Sequence, residues 1–122
     1  AMVWKLKLNE NAKTPAVYNV FPELNHNEMV GFSLPQASFF VLMLRDPEDH
    51  PRNRKRFEIT AGLLREKGVE VEILDMKGKG VYSKIFMSIL LGDFTSYHLA
   101  LLYGQDPTPV DMVEKLKKLL VS

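Results

Sequence analysis

SFFVLML, residues 38–44, is a nearly continuous apolar run, and VEVEIL, residues 69–74, alternates strictly between apolar and charged side chains over its first five residues. The first pattern is typical of a strand buried on both faces of a parallel sheet, and the second of a strand with one wetter face. Between them, residues 52–68 place apolar side chains at helical spacing and end in glycine, which predicts a helix. A strand, a helix and a second strand in this order predict a right-handed crossover and a parallel α/β sheet.

Further elements are predicted on both sides of this unit. Residues 16–21 (AVYNVF) are β-branched and aromatic, and they predict a third strand. Residues 3–13 fit either a helix or an alternating strand, and we favour a helix. A long helix is predicted from about residue 82 to 103, and Thr108 is expected to cap the last helix. The predicted fold class is therefore α/β, with a parallel sheet of about three strands flanked by helices.

Composition limits the classes of function. The 122 residues fit one domain at most. Sixteen Lys and Arg against fifteen Asp and Glu give a formal charge of +1, which argues against a strongly basic nucleic-acid binder. The absence of cysteine excludes disulfides, thiolate metal sites and a cysteine nucleophile. Residues 85–104 are apolar but interrupted by Asp93 and His98, so we expect a buried core helix and not a membrane span. Residues 1–20 show no leader pattern, and a cytoplasmic protein is expected.

A parallel sheet of three strands is small for its architecture. Both sheet edges and much apolar surface would remain exposed. We therefore expect the chain to be a fragment, or a subunit that completes its sheet by association, and to be at least a dimer in solution.

Two polar clusters are candidates for chemistry: NENAK at residues 9–13 and PELNHNE at residues 22–28. Glu10 and His26 are residue types that transfer protons near neutral pH. His26 follows the predicted strand 16–21, and sites in parallel α/β sheets gather at the carboxyl ends of strands. The alternative for Glu10 is a cap or a solvated turn at a helix end. A metal site on His26 and its acidic neighbours is disfavoured, because the spacing is not that of zinc ligands.

Other charged and aromatic positions have simpler interpretations. His50 is expected in a solvated turn, and His98 in a core or an interface. The basic run 52–56 suggests a phosphate or a nucleic acid, but a solvated first turn of a helix is favoured. Lys117, taken alone, is a lysine near a helix terminus that complements the helix dipole. No glycine-rich phosphate loop or dinucleotide fingerprint is present.

Several segments, taken in chain order, resemble one known family. They are NENAK (9–13), FPELNHNE (21–28), GDFTSYHLAL (92–101), DPTPV (106–110) and finally Leu116-Lys117. Together they are similar to the C-terminal part of the bifunctional phosphoglucose/phosphomannose isomerases, which are built from two sugar isomerase (SIS) domains. The resemblance covers nearly the whole chain. It implies an SIS-like (flavodoxin-like) fold in which residues 1–122 form a single C-terminal SIS-type domain without its first strand, the N-terminal SIS domain being absent.

The resemblance also implies an activity and a role for each matching residue. The family interconverts glucose 6-phosphate or mannose 6-phosphate with fructose 6-phosphate through a cis-enediol, with no metal or nucleotide cofactor. Glu10 matches the base that moves a proton between C1 and C2. His26 matches a histidine that assists ring opening and reaches into the partner's active site in the family dimer. Lys117 matches a lysine that contacts the ring oxygen. Thr108 is the nearest candidate for a substrate-binding threonine, although counting back from Lys117 leads to Val110.

One departure from the family is expected to matter. The family binds the sugar phosphate through Ser- and Thr-rich loops and an Arg of the N-terminal SIS domain, and this chain has none of them. Without that binding energy the rate should fall steeply even with the base in place. The expected partners are a sugar phosphate and either a second copy or an N-terminal SIS domain, with neither nucleic acid nor membrane. The alternative is a non-catalytic SIS-like module for sugar-phosphate binding or dimerisation, encoded by a truncated gene.

Overall fold

The secondary structure is that of an α/β protein. The computed structural model describes residues 1–121, and within them it contains five α-helices, two strands and one 3-10 turn. In chain order the elements are α1 (Met2–Glu10), a 3-10 turn (Glu23–Asn25), α2 (Glu28–Gly31), β1 (Phe40–Arg45), α3 (Pro51–Glu66), β2 (Glu70–Asp75), α4 (Gly80–Leu102) and α5 (Asp111–Leu120). The predicted fold class is confirmed, and so is the helix at the start of the chain.

The two strands form the predicted parallel pair. Their register runs from Phe40 opposite Glu70 to Arg45 opposite Asp75, and α3 makes the crossover between them. Parallel strands need such a crossover because a tight turn can only join antiparallel ones. The runs 38–44 and 69–74 therefore form strands as predicted, each displaced by one or two residues. The expectation that the first is buried on both faces is wrong, because only Met43 of β1 is buried and Phe40 is exposed.

The prediction of a third strand at residues 16–21 is wrong. Among the described residues the sheet contains two strands, order β1-β2. The backbone N–H groups of Ala16 and Val20 donate to side-chain oxygens of Asn9 and Asn19, at 2.8 Å each. Asparagine side chains that bond to nearby backbone compete with a sheet ladder in this way. The run is β-branched, but residues 16–20 have no regular secondary structure, residue 21 lies in a turn, and no described strand pairs with the run.

Helix α3 is bounded by two recognisable signals. His50 caps its start, since His50 Nδ1 accepts from the backbone N–H of Arg52 at 3.2 Å, and Pro51 occupies the first turn. Gly68 ends it with a φ of 77°. The N–H of Gly68 donates to Arg65 and that of Val69 to Leu64, which is the Schellman pattern of a left-handed glycine after a helix.

The chain divides into two compact units. The first comprises Ala1 and Tyr18–Ser88, and the second comprises Met2–Val17 and the residues from Ile89 onward. The first unit holds β1, β2 and α3 around an apolar core. This core consists of Met43, Phe57, Ala61, Leu64, Val69 and Val71, with Phe21, Phe32, Val41 and Ile73 packed against it.

The second unit has a smaller core, built where α1 meets the middle of α4. Trp4 is buried on α1, and a Cβ added at Gly92 would lie 3.1 Å from its indole ring. Ser96 and Ala100 continue this buried stripe one and two turns further along α4. Glycine at position 92 therefore allows α1 and α4 to approach closely.

Helix α4 is much more exposed than the sequence led us to expect. Phe86 and Leu102 are 67% and 82% exposed, and many of its other large apolar side chains also face solvent. The expectation of a buried core helix is therefore wrong for this chain by itself. By length and composition, Gly80–Leu102 could also cross a membrane, which is weak evidence because the core helix of a soluble protein passes the same test.

Candidate functional site

The segment Asn9 to Lys13, which contains the last two residues of α1 and the turn after it, is held in place by its own polar side chains. Asn9 Oδ1 accepts from the backbone N–H of Ala16 at 2.8 Å. Asn11 Nδ2 donates to Ser96 Oγ at 2.9 Å, across 85 residues of sequence. Ser96 is fully buried and in turn donates to the carbonyl of Asp93, so the Asn11 amide has a rigid partner.

Lys13 completes this arrangement. Its ammonium donates to the carbonyl oxygens of Glu10 and Pro109 at 2.6 Å each, and of Pro107 at 3.2 Å. Ala12, the residue before it, is only 1% exposed. Asn9, Asn11, Ala12 and Lys13 are therefore all committed to fixing the end of α1.

The Glu10 side chain is the exception in this segment. It is exposed, and among residues 1–121 its carboxylate has no hydrogen-bond or ion-pair partner. Glu10 does not cap the helix end, because Asn9 and Lys13 make the bonds to the backbone there. Its exposed carboxylate fits the other alternative, a solvated turn, as well as a free base. A free carboxylate on a firmly held backbone is the arrangement that a general base requires.

Thr108 lies in the loop that Lys13 binds, in the same unit as Glu10. The prediction that Thr108 caps the last helix is wrong. Helix α5 begins at Asp111, and Val110 precedes it without a side-chain cap bond. The helix begins two residues later than predicted, so Val110 and not Thr108 occupies the cap position.

The position of Thr108 is set by Asp106 instead. Asp106 Oδ1 accepts from the Thr108 backbone N–H at 2.8 Å. Hydrogen bonds from the backbone and the side chain of Thr108, together with the charge of Lys13, hold the pKa of Asp106 below its usual range. Asp106 therefore stays ionised and orders this loop, which the Lys13 ammonium links to the end of α1.

Lys117 belongs to the same unit but has a different neighbour. It lies near the end of α5, and its ammonium is 2.7 Å from the carboxylate of Glu114, one turn earlier. Both side chains are more than half exposed, so this pair is a weak surface contact that a ligand can displace.

His26 belongs to the first unit, whereas Glu10, Thr108 and Lys117 belong to the second. It is exposed and follows the 3-10 turn. Since residues 16–21 are not a strand, the expectation that His26 lies at the carboxyl end of a strand is wrong. Its acidic neighbours are engaged elsewhere, because Glu23 accepts from Asn27 at 2.8 Å and Glu28 from Asn19 at 2.6 Å.

The true carboxyl edge of the sheet carries a shallow depression of about 320 Å³. Arg45, the last residue of β1, forms ion pairs there with Asp75 and Glu58. Hydrogen bonds to these two carboxylates raise the pKa of Arg45, and the bond to Arg45 lowers the pKa of Asp75. Because these charges neutralise one another, Arg45 is not available as an anion site.

The remaining candidates have structural partners or lie on the surface. In the basic run, Arg56 donates to Asn25 Oδ1 at 3.3 Å, and its neighbours are exposed, as a solvated helix start predicts. His98 is exposed on α4 and lies beside Phe94 and Tyr97, with ring centroids 6.3 and 5.4 Å away. Within residues 1–121, no group of three or more His, Asp or Glu side chains is arranged to hold a metal ion.

Sequence reasoning missed the residues that hold the site. The sequence predicts no role for Asn11, Lys13 or Ser96, although all three lie in segments that resemble the family. Their partners lie 85 to 96 residues away, beyond the range of any local pattern. The only signal was the density of amide and ammonium groups around one carboxylate in NENAK.

A parallel strand pair joined by a crossover helix makes this an α/β domain, and its second unit carries the exposed carboxylate of Glu10. The comparisons with known proteins agree. The family described as the bacterial phospho-glucose isomerase C-terminal SIS domain matches residues 1–120. The chain belongs to this family.

Curated relatives extend the comparison. The bifunctional phosphoglucose/phosphomannose isomerase of Caldicellulosiruptor bescii is 45% identical over 122 residues, covering 96% of this chain and 35% of the relative. The enzyme of the same name from Aquifex aeolicus is 38% identical, covering 94% and 37%. A D-glucosamine-6-phosphate 4-epimerase of Sulfolobus acidocaldarius is 32% identical, covering 80% and 28%. This chain spans about a third of the length of the relatives it matches. No solved structure matches it significantly.

Proposed function

We propose that this chain carries the proton-transfer residues of a sugar-phosphate aldose–ketose isomerase that interconverts glucose 6-phosphate or mannose 6-phosphate with fructose 6-phosphate. It would do so through a cis-enediol and without a metal or nucleotide cofactor. The cytoplasmic location and the dimeric state predicted from the sequence are part of this proposal. The names of the isomerase relatives and the family match support it.

The observation that carries the proposal is the state of Glu10. Its carboxylate is exposed and free of partners among the described residues, while its own carbonyl is fixed by the Lys13 ammonium at 2.6 Å. In the last turn of a helix the groups without partners are carbonyl oxygens and not N–H groups, so the end of α1 offers this carboxylate no backbone donor. A catalytic base needs an open lone pair and a fixed position, and Glu10 has both.

The proposed chemistry is a balanced proton transfer. Starting from the open-chain aldose, Glu10 removes the proton on C2 while the carbonyl oxygen on C1 gains a proton, which forms the enediol. Glu10 then returns its proton to C1, and the hydroxyl on C2 loses its proton to become the ketone. The sugar keeps its oxidation level overall, so no oxidant or reductant is required.

The other residues would prepare the substrate. His26 and Lys117 would open the sugar ring by protonating or contacting the ring oxygen, and Thr108 would contact the substrate from the loop beside Glu10. As the family resemblance implies, we propose that His26 serves the active site of a partner chain. The phosphate would be bound by an N-terminal SIS domain, as in the family.

An isomerase assay tests this proposal. The chain is incubated with fructose 6-phosphate in D2O, alone and with the part of the C. bescii relative that lies outside the matched region. Formation of an aldose 6-phosphate is the expected result for the mixture, with deuterium on C2 in the molecules for which the Glu10 proton exchanges with D2O before it is returned. Glu10→Gln should lower its rate by about 10²- to 10⁴-fold, the usual contribution of a positioned base.

Glu66→Gln is the matched control, because it makes the same chemical change in an exposed carboxylate at the end of α3. It should leave the rate unchanged. Equal rates for Glu10→Gln and the wild type in an active mixture would refute the role of Glu10. An inactive mixture that still binds fructose 6-phosphate would favour the non-catalytic module. Turnover of glucosamine 6-phosphate alone would point to the activity named for the S. acidocaldarius relative.

A further inference from the structure

The ammonium of Lys13 is used entirely for backbone carbonyls. A lysine ammonium has three N–H donors and no acceptor. Here the three donors bind the carbonyl oxygens of Glu10, Pro107 and Pro109, at 2.6, 3.2 and 2.6 Å. Lys13 therefore has no donor left for a substrate oxygen, and a direct contact with the sugar is not its role.

The three acceptors come from two separate parts of the second unit. Glu10 ends α1, where the last carbonyls of a helix lack partners within the helix. Pro107 and Pro109 lie between α4 and α5, 94 and 96 residues from Lys13. Lys13 thus joins the backbone of the proposed base to the loop that carries Thr108.

The backbone of Lys13 is also unusual. Its φ is 55°, the left-handed region that residues with a side chain rarely adopt. In this conformation the chain turns sharply after α1, and the Lys13 side chain reaches back to the carbonyl three residues earlier. Such a conformation persists where the surroundings hold it firmly, and it is found disproportionately at functional sites.

We propose that Lys13 is a positioning residue of the isomerase: it maintains kcat by holding the Glu10 backbone against the loop at 107–109. This inference rests on the proposed function of Glu10. A base acts only within hydrogen-bond reach of the proton that it removes, and a displacement of about 1 Å costs about 10²-fold in rate. Binding of the phosphate by other groups is unaffected, so KM should change little.

The absence of cysteine makes a clean test possible. Lys13→Cys introduces a single thiol into the chain, which is alkylated before the chain is mixed with the relative's remaining part. Reaction with 2-bromoethylamine rebuilds an ammonium at the length of lysine, and reaction with iodoacetamide gives a neutral amide. We expect Lys13→Cys to lower kcat by about 10- to 100-fold, with KM little changed. The ammonium product should regain most of the wild-type kcat, and the amide product should not.

Lys115→Cys, at an exposed position of α5, controls for the thiol and for both reagents and should keep full activity. Because a loss of stability at position 13 would lower the fraction of folded protein, circular dichroism is measured for each alkylated form and kcat is expressed per folded chain. If Lys13→Cys keeps its kcat, or if both alkylated forms behave alike, the inference is overturned while the proposed function stands. If the wild-type mixture is inactive, or if Glu10→Gln is fully active, the proposed function fails first and takes the rate role of Lys13 with it.

Discussion

The contact between Trp4 and Gly92 leads to a quantitative prediction about stability. A Cβ at position 92 would lie 3.1 Å from three atoms of the buried indole, whereas carbon atoms in contact prefer about 3.5–4.0 Å. Gly92→Ala should therefore destabilise the chain. Gly62→Ala is the matched control, because Gly62 lies in the middle of α3 and its added Cβ meets no atom within 4 Å.

The magnitude follows from two opposing effects. Replacing glycine by alanine inside a helix contributes roughly 1 kcal/mol in favour of folding. Forcing an extra methyl group into a packed contact costs about 1–3 kcal/mol. Gly62→Ala should thus raise the free energy of unfolding by up to about 1 kcal/mol. The free energy of unfolding of Gly92→Ala should be about 1–3 kcal/mol lower than that of Gly62→Ala, because the helix contribution is common to both variants.

Urea denaturation measures both variants. Far-ultraviolet circular dichroism follows the helices, and fluorescence follows Trp4, the single tryptophan of the chain. A shift of the Gly92→Ala emission spectrum before unfolding would show that the indole has moved. The reasoning is refuted if Gly92→Ala stabilises the chain as much as Gly62→Ala does.

Three further predictions concern pH, ring opening and association. The hydrogen bond from Lys84, at 2.7 Å, lowers the pKa of Asp46 in the folded chain. The ionised Asp46 therefore stabilises the fold at pH values above the unfolded pKa of about 3.9, and this stabilisation is lost as the pH falls through the lower pKa of the folded chain. The melting temperatures of the wild type and Asp46→Asn should differ near neutral pH and converge in acid. His26→Ala and Lys117→Ala should slow the isomerase mainly on substrates that form rings, and their effects should not add, because both act on one step; equal losses on an aldose phosphate too short to cyclise would contradict this. The exposed apolar side chains of α4 and α5 predict at least a dimer at micromolar concentration, and light scattering that shows a stable monomer would disprove it.

The local elements of the fold could be predicted because their causes are local. The spacing of Phe57, Ala61 and Leu64 predicts the buried face of α3, and Gly68 predicts where the helix ends. The prediction of a third strand was wrong because its cause is not local. A strand exists only if another strand pairs with it, and the composition of residues 16–21 carries no information about such a partner.

The site could be predicted only in part, and for the same reason. The position of Glu10 near the end of a helix followed from local sequence, and its proposed role from the family resemblance. The bonds that fix it reach Ser96, Pro107 and Pro109, far along the chain. The exposure of α4 could not be predicted either. An apolar pattern indicates that a helix surface tends to be buried, but it does not identify the element or partner chain that buries it.

Since the described sheet has only two strands, each of them is an edge strand, and the two edges differ in charge. β2 contains Glu70, Glu72 and Asp75, whereas β1 carries no charge before Arg45 at its end. Charged side chains discourage the addition of foreign strands, and an apolar edge invites it. Concentrated samples of this chain should therefore aggregate through β1, and a single lysine at Phe40, which is already 61% exposed, is the substitution that would keep it in solution.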